Sequence, residues 1–220
     1  LMLKRLILNE NPCNVDKIFR KIKQFGGHAR QGGGVCGVEM ALWDLAGKWH
    51  GAQVDELLGA QRRKLPAYAS TLPGDLDTDN LGDPAAYARF AEQCYDKGYR
   101  AFKIHAWIDG SLRREIDAAV AVAEAVGDRM TLMDDPSSAL RTFADAVQLG
   151  LVLDDHRYFW YEDPYRDTGI SSTGHRRLRE RVKTPLLITE HLRSLEPKVD
   201  FLVSGGTDLL RADPDQDGGI

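Results

Sequence analysis

Six short apolar segments alternate with helical segments from Pro66 onward, and this alternation constrains the fold more than any other feature of the chain. Strands are predicted over residues 66–71, 101–106, 130–135, 158–162, 185–190 and 208–213. Helices are predicted between them, over residues 84–97, 112–127, 139–150, 174–183 and 193–203. Strands that alternate with helices form a parallel sheet with right-handed crossovers. Both an open doubly wound sheet and an eight-stranded barrel would satisfy this pattern.

The turn after the first strand favours the barrel. An open sheet that binds a nucleotide carries a glycine-rich turn at this point. The turn here, Thr71-Leu-Pro-Gly-Asp75, contains a single glycine. We therefore predict an α/β fold built on a TIM-like barrel, of which this chain holds about six strands.

Three of the predicted strands end in a carboxylate at nearly equal intervals. Asp135, Glu162 and Glu190 are the last residues of the third, fourth and fifth strands. The intervals are 27 residues (162 − 135) and 28 residues (190 − 162), about the length of one strand and one crossover helix. Carboxylates at this period meet at one rim of a parallel barrel. Oxygen ligands without a Cys or His cluster suit a hard divalent cation such as Mg²⁺.

Each of these carboxylates has a polar neighbour. Asp134 precedes Asp135, and because side chains alternate along a strand, we expect only Asp135 to point into the barrel. Asp163 follows Glu162 and is expected to lie behind the metal ligands. His191 follows Glu190 and is a candidate for contact with a ligand or with the substrate.

Two basic side chains share one face of the second strand. Lys103 and His105 are two residues apart, so both can point into the barrel mouth. A lysine beside an imidazole disfavours the protonated imidazole, which helps to keep it available as a base.

Asp213 closes the last predicted strand, and the residues leave two roles open for it. It could be an ordinary loop residue. It could also orient a histidine from a following strand, as carboxylates do for catalytic imidazoles.

The bulk properties favour a globular protein in a reducing compartment. Of 220 residues, 43% are hydrophobic, and the net charge of −4 is mild. Lys and Arg form no stripe, so we expect no nucleic-acid partner. No apolar run reaches the roughly 20 residues that a membrane span needs, so no membrane partner is expected. The three cysteines share no metal-like spacing, which suggests a reduced, cytoplasmic chain.

At this point the motifs resemble those of a known family, the mandelate racemase branch of the enolase superfamily. The similarity runs through the whole chain in the right order and spacing. It rests on the segments Gly37–Lys48, Glu56–Gly59, Pro66–Ser70, Leu132–Asp135, Tyr161–Pro164, Thr189-Glu190, and Asp213 with Gly218–Ile220.

The resemblance implies a capping α+β domain followed by a (β/α)₇β barrel. Residues 1–30 would be the tail of the capping domain, and residues 31–220 would hold barrel strands one to six. The chain begins with Leu1 and stops soon after its sixth strand. We therefore expect further sequence on both sides.

The resemblance also assigns roles to the site residues. Asp135, Glu162 and Glu190 would bind Mg²⁺. His105 replaces the second lysine of the family's Lys-x-Lys pair and would be the base on one face of the substrate, beside Lys103. Asp213 would belong to a His–Asp dyad that serves the other face, with its histidine after residue 220.

Asp213 also separates two branches of the superfamily. The muconate-lactonizing branch would carry a lysine at this position, so the aspartate argues against that branch. Two further positions depart from many family members. Ser137 stands where many have Asn, and Asp163 stands where many have a second Glu.

The chemistry that the resemblance implies is removal of the proton α to a carboxylate, which leaves an enediolate. Dehydration of an acid sugar to a 2-keto-3-deoxy acid is the leading expectation. Racemisation or epimerisation of a 2-hydroxy acid is the alternative, and an inactive or binding-only relative is a second one. The family also implies a homo-oligomer.

Overall fold

The computed structural model describes residues 3–26, 35–60, 64–71, 81–105, 107, 110–166 and 170–220. They form two compact units. The first unit contains residues 1–65, 192–199 and 212–220, and the second contains residues 66–191 and 200–211. The predicted domain boundary between residues 30 and 31 lies outside the described residues and stays a prediction.

Short strands alternate with helices in the order that the sequence predicts. The strands are β1 (Ala69–Ser70), β2 (Ala101–His105), β3 (Thr131–Asp135), β4 (Trp160–Glu162), β5 (Leu186–Ile188) and β6 (Leu209–Leu210). The helices are α1 (Lys4–Ile7), α2 (Val15–Gly26), α3 (Val35–His50), α4 (Val54–Leu57), α5 (Pro84–Asp96), α6 (Leu112–Val126), α7 (Phe143–Asp155), α8 (Ser172–Arg179), α9 (Leu195–Val203) and α10 (Pro214–Asp217). None of the helices in the described ranges has the length and apolar character that a membrane span requires.

The six strands form one parallel sheet in strict sequence order, β1-β2-β3-β4-β5-β6. Each strand pairs with the next one in the chain. An open doubly wound sheet would instead reverse its strand order at a switch point. This order is that of a barrel wall, so the predicted α/β barrel architecture is confirmed, with six strands of the wall among the described residues.

Helices cover the outer face of the sheet. Phe102 and Ile104 of β2 have no exposed surface, and neither does Tyr161 of β4. The Tyr161 hydroxyl donates a hydrogen bond of 3.3 Å to the carbonyl oxygen of Ala146 in α7. The Tyr158 hydroxyl donates one of 2.8 Å to the carbonyl oxygen of Ala119 in α6. These bonds satisfy the polar ends of aromatic side chains that pack between sheet and helices.

Capping residues explain where two helices begin. The Asp83 carboxylate accepts a hydrogen bond from the Ala86 amide, and Pro84 occupies the first helical position, as the sequence suggests. Thr142 and Asp145 form a capping box at the start of α7. The predicted helix 139–150 is therefore wrong at its amino end, since the cap at Thr142 starts the helix later.

The first unit has a small apolar core between helices. Ile18 and Ile22 of α2 are buried and contact Val38 and Leu42 of α3. The carboxylate of Glu39, only 2% exposed, accepts hydrogen bonds from the Trp43 indole at 2.6 Å and the Ile220 amide at 2.8 Å. At Gly219, with φ of +124°, a Cβ atom would lie 2.1 Å from that carboxylate. Only glycine allows this close approach.

Gly150 tests the packing of α7 on the sheet. A Cβ atom there would lie 2.5 Å from Cγ1 of Val182 and 3.4 Å from the Tyr161 ring. We expect Gly150→Ala to lower the free energy of unfolding by about 1–3 kcal/mol, because the buried neighbours must shift. Urea unfolding followed by circular dichroism measures this change.

Gly37→Ala is the matched control, since nothing lies within 4 Å of the added methyl group in α3. It should leave stability unchanged or raise it by up to about 1 kcal/mol. A Gly150→Ala protein as stable as the wild type would contradict the packing described here.

Candidate active site

Strand register brings four candidate residues to the inner face of the sheet. His105 pairs with Asp135 across β2 and β3, and Lys103 lies two residues before His105 on the same face. On β4, Tyr161 faces the helices, so Glu162 points the other way. His105, Asp135 and Glu162 are the last residues of their strands, and Lys103 lies two residues further inside β2. Barrel enzymes place their active sites at this end of the strands.

Asp135, Glu162 and Glu190 come together at this end of the sheet. One oxygen from each carboxylate lies within 4.8 Å of an oxygen from the other two. Asp135 and Glu162 are 2% and 1% exposed, whereas Glu190 is partly accessible. Three hard oxygen donors at this spacing fit the ligand set of a divalent cation.

Glu190 reaches the cluster because the backbone turns at Thr189. Leu187 of β5 pairs with Glu162 and so shares its inner face. Strict alternation would then send Glu190 to the helical face. Thr189 has φ of +105°, a strained conformation for a β-branched residue, which breaks the alternation. The Thr189 hydroxyl bonds the backbone of Arg211, accepting from its amide at 3.1 Å.

Lys103 balances two of the three carboxylates. Its ammonium group lies 2.8 Å from Asp135 Oδ2 and 2.7 Å from Glu162 Oε2, and its side chain is 5% exposed. Burial disfavours the ammonium form, but the attraction of Asp135 and Glu162 outweighs burial and raises the pKa of Lys103 above its ordinary value. Lys103 therefore remains charged, and its contacts are with the metal-ligand candidates.

Arg211, which was not predicted from the sequence, also contacts the cluster. Arg211 Nη1 lies 2.9 Å from Glu162 Oε1 and 2.6 Å from Glu190 Oε2. Leu209 of β6 pairs with Leu187 on the inner face, and Arg211 lies two residues later. Because side chains two residues apart share a face of a strand, Arg211 could have been predicted to point inward, but the prediction considered only acidic residues at these positions.

Two aromatic side chains also approach the cluster, and neither was predicted. The Trp160 indole donates a hydrogen bond of 3.2 Å to Glu162 Oε2. The Tyr68 ring packs edge-on against Trp160, with 5.6 Å between ring centroids. The Lys103 ammonium lies 5.8 Å from the centroid of Tyr68.

His105 lies beside Asp135 and remains accessible. Its Nε2 is 3.5 Å from Asp135 Oδ2, and its side chain is 18% exposed. Its backbone amide donates a hydrogen bond of 2.8 Å to the Thr71 hydroxyl. This contact holds the end of β2 against the segment that follows β1. An imidazole in this position can exchange a proton with a group in the barrel mouth.

The three predicted supporting residues lie around the cluster. The Ser137 backbone amide donates a hydrogen bond of 2.9 Å to Asp135 Oδ1. Asp163 is 3% exposed, and His191 Nε2 lies 3.6 Å from its Oδ2. Burial, together with the negative charges of Asp135 and Glu162, raises the pKa of Asp163 well above its ordinary value.

Asp134 differs from Asp135 in its surroundings, as strand alternation predicts. It pairs with Tyr161 and faces the helices, with no exposed surface. Neither of its carboxylate oxygens has a hydrogen-bond partner among the described residues. Burial, together with the charge of Asp135, raises the pKa of Asp134 well above its ordinary value. Asp134 is therefore a buried acid behind the site, not one of the clustered carboxylates.

Asp213 belongs to the first unit. It precedes α10, and its backbone amide donates a hydrogen bond of 2.8 Å to Asp217 Oδ2. Asp217 in turn pairs with Lys198, whose side chain is 2% exposed, at 2.7 Å. The dyad role of Asp213 stays a prediction.

The buried ion pairs of Lys103 carry a stability prediction. We expect Lys103→Met to lower the free energy of unfolding by about 3–5 kcal/mol, because it leaves Asp135 and Glu162 buried beside each other without this cation. Added Mg²⁺ should recover part of the loss, since a bound ion restores positive charge. Urea unfolding with and without the metal measures both effects.

Arg113→Gln is the control, because it removes an exposed ion pair with Asp117 in the same unit. Exposed pairs contribute little, so this variant should unfold at the wild-type urea concentration. If Lys103→Met unfolded at the same urea midpoint as the wild type, the ion pairs of Lys103 with Asp135 and Glu162 would contribute no net stability.

Two family models match the chain, and together they cover most of it. One is described as "Enolase C-terminal domain-like" and matches residues 86–220. The other is described as "Mandelate racemase / muconate lactonizing enzyme, N-terminal domain" and matches residues 2–59.

Curated relatives and a solved structure show the same similarity. L-talarate/galactarate dehydratase of Salmonella typhimurium is 26% identical over 220 residues, covering 97% of this chain and 52% of that enzyme. D-gluconate dehydratase of Thermoproteus tenax is 28% identical over 191 residues, covering 83% of this chain and 37% of that enzyme. The magnesium complex of D-glucarate dehydratase from Agrobacterium tumefaciens superposes with a TM-score of 0.89 at 27% identity. The superposition covers 99% of this chain and 58% of that enzyme's chain. The chain thus spans about half the length of the relatives it matches.

Proposed function

Because this chain belongs to the family of enolase C-terminal domain-like proteins with a mandelate racemase / muconate lactonizing enzyme N-terminal domain, we propose that the protein is a Mg²⁺-dependent acid-sugar dehydratase. The observation that carries the proposal is the convergence of Asp135, Glu162 and Glu190 within 4.8 Å. The relatives named above are dehydratases of acid sugars, which supports this reaction class.

Asp135, Glu162 and Glu190 would hold the metal. A divalent ion bound there stabilises the negative charge that develops on a substrate carboxylate when its α-proton leaves. Lys103 keeps two of the ligands in place and adds a permanent positive charge at the floor of the site. The Ser137 amide bonds the other oxygen of Asp135, and the Trp160 indole adds a second hydrogen bond to Glu162 Oε2, the oxygen that Lys103 contacts.

His105 is the proposed base. Its Nε2 lies beside Asp135 and its side chain is partly exposed, so it could take the proton α to a substrate carboxylate that an ion on Asp135, Glu162 and Glu190 would hold. In a dehydration, the substrate then loses its β-hydroxyl. The proton taken by His105 leaves with that hydroxyl as water, directly or through solvent, and the enol product tautomerises to a 2-keto-3-deoxy acid.

Metal binding tests the ligand assignment. We expect Glu162→Gln to weaken Mg²⁺ binding by at least tenfold, because an amide oxygen carries no formal charge and the variant keeps the Lys103 ammonium nearby. Isothermal titration calorimetry on the full-length protein measures this. Glu180→Gln, an exposed carboxylate at the end of α8, is the control and should bind as the wild type does. Equal Mg²⁺ affinity in Glu162→Gln would remove Glu162 from the ligand set.

Exchange of the substrate α-proton tests the chemistry. We expect the full-length protein to exchange the α-proton of one acid sugar in D₂O with Mg²⁺ present, and to release water from it. NMR over a panel of aldonic and aldaric acids measures both. His105→Asn should slow exchange by about 10²–10⁴-fold with the fold intact, because the base is lost.

The outcomes of this experiment separate the alternative functions. Exchange with inversion at the α-carbon and no loss of water would indicate an epimerase or racemase. No exchange with any acid of the panel, from a folded protein that binds Mg²⁺, would indicate an inactive or binding-only relative. An unchanged exchange rate in His105→Asn would reject His105 as the base.

A further inference from the structure

Arg211 makes contacts that bear directly on how the site takes up a metal. Its Nη1 atom bridges Glu162 Oε1 and Glu190 Oε2, at 2.9 and 2.6 Å. These are two of the three carboxylates assigned to the ion. Its side chain is 33% exposed, whereas the Lys103 side chain is 5% exposed. The cluster therefore has one buried cation and one cation at the solvent edge.

We propose that Arg211 competes with the divalent metal for Glu162 and Glu190, and so sets the metal affinity of the site. The inference rests on the proposed metal role of the three carboxylates. It concerns a residue of this chain beyond that ligand set.

Distance supports the competition. Mg²⁺ binds carboxylate oxygens at about 2.1 Å. An ion bound to Glu190 Oε2 would then lie within about 4.7 Å of Arg211 Nη1, since the bonds of about 2.1 Å and 2.6 Å meet at one oxygen. Two cations at this separation repel each other, and more strongly in a partly buried site than in water. The guanidinium must therefore loosen its hold on the shared oxygens.

The charge balance leads to the same conclusion. Asp135, Glu162 and Glu190 carry three formal negative charges, and Lys103 and Arg211 together carry two positive ones. A divalent ion would turn this balance from −1 to +1. If Arg211 withdraws, the formal charges of the three carboxylates, Lys103 and the ion cancel, and the excess positive charge among these partly buried groups is removed.

The position of Arg211 allows it to withdraw, whereas Lys103 cannot. Arg211 lies after β6 at the rim, with a third of its side chain already in solvent. Lys103 lies on the floor of the site inside β2. Because the Arg211 side chain already reaches solvent, its guanidinium can leave the two carboxylates without crossing the packed interior of the sheet.

Removal of the guanidinium is the direct test. In the full-length protein, Arg211→Gln should bind Mg²⁺ and Mn²⁺ at least tenfold more tightly than the wild type. Titration calorimetry measures the Mg²⁺ affinity, and electron paramagnetic resonance of free Mn²⁺ gives an independent value. Arg211→Lys keeps the charge on a more flexible and more strongly hydrated group, so its affinity should fall between the two.

Arg181→Gln is the matched control. It makes the same change in net charge at an exposed position between α8 and β5, at the opposite end of the strands. Its metal affinity should equal that of the wild type. A general effect of net charge would instead tighten binding equally in both variants, and that result would overturn the proposal.

Crystal structures of the wild-type full-length protein without and with Mg²⁺ provide a test that needs no variant. The metal complex should show Arg211 Nη1 more than 3.5 Å from the carboxylate oxygens of Glu162 and Glu190. A bound metal with both contacts retained would overturn the proposal, even if Arg211→Gln failed to fold.

The outcomes separate this inference from the proposed function. If the wild type and Arg211→Gln bind metal equally well, the competition is wrong and the metal site stands. Weaker binding in Arg211→Gln would make Arg211 a residue that positions the ligands, and would also overturn the competition. If no version of the protein binds a divalent ion, both the metal site and the competition fall.

Discussion

The pairing of Lys103 with Asp135 and Glu162 is the interaction on which the organisation of the site depends. Two carboxylates with almost no exposed surface cannot lie side by side as anions without a cation between them. The lysine comes from β2 and the acids from β3 and β4, so the contact requires three neighbouring parallel strands in register. The strand order of the barrel wall therefore brings the charges together, and the charges in turn favour that register.

Left-handed backbone at strand ends gives the site its shape. Ser137, Asp163 and Thr189 all have positive φ, and each lies within two residues of a clustered carboxylate. Such conformations cost free energy in non-glycine residues and persist where surrounding contacts fix them. The Ser137 amide bonds Asp135, and the Thr189 hydroxyl bonds the backbone of Arg211. Two of these turns are therefore held by hydrogen bonds to Asp135 and Arg211, which are themselves residues of the site.

Strand β3 separates two chemical roles over adjacent residues. Asp135 points to the cation-rich inner face, while Asp134 points to the helices and lies without a hydrogen-bond partner among the described residues. The same alternation places Tyr161 against α7 and Glu162 in the site. Adjacent residues of one strand thereby belong to two different surfaces, the helix-packing face and the charged inner face of the sheet. Behind the site, the helical face of the sheet is fully buried at Asp134 and Tyr161.

The sequence by itself determined the alternation of strands and helices, the parallel sheet and the three candidate carboxylates, although Glu190 lies two residues after β5 and does not end that strand. These follow from local apolar runs, caps such as Asp83-Pro84, and a repeat of nearly constant length. Sequence alternation also separated Asp134 from Asp135. The sequence predicts that Glu190 meets the other two carboxylates, but only the tertiary structure shows how, because the backbone of Thr189 departs from regular strand geometry. Only the tertiary structure revealed Arg211 and the partners of Lys103, because these contacts join residues up to 59 positions apart. Local pattern specifies which face a side chain takes, whereas the partner it meets there depends on how neighbouring strands align.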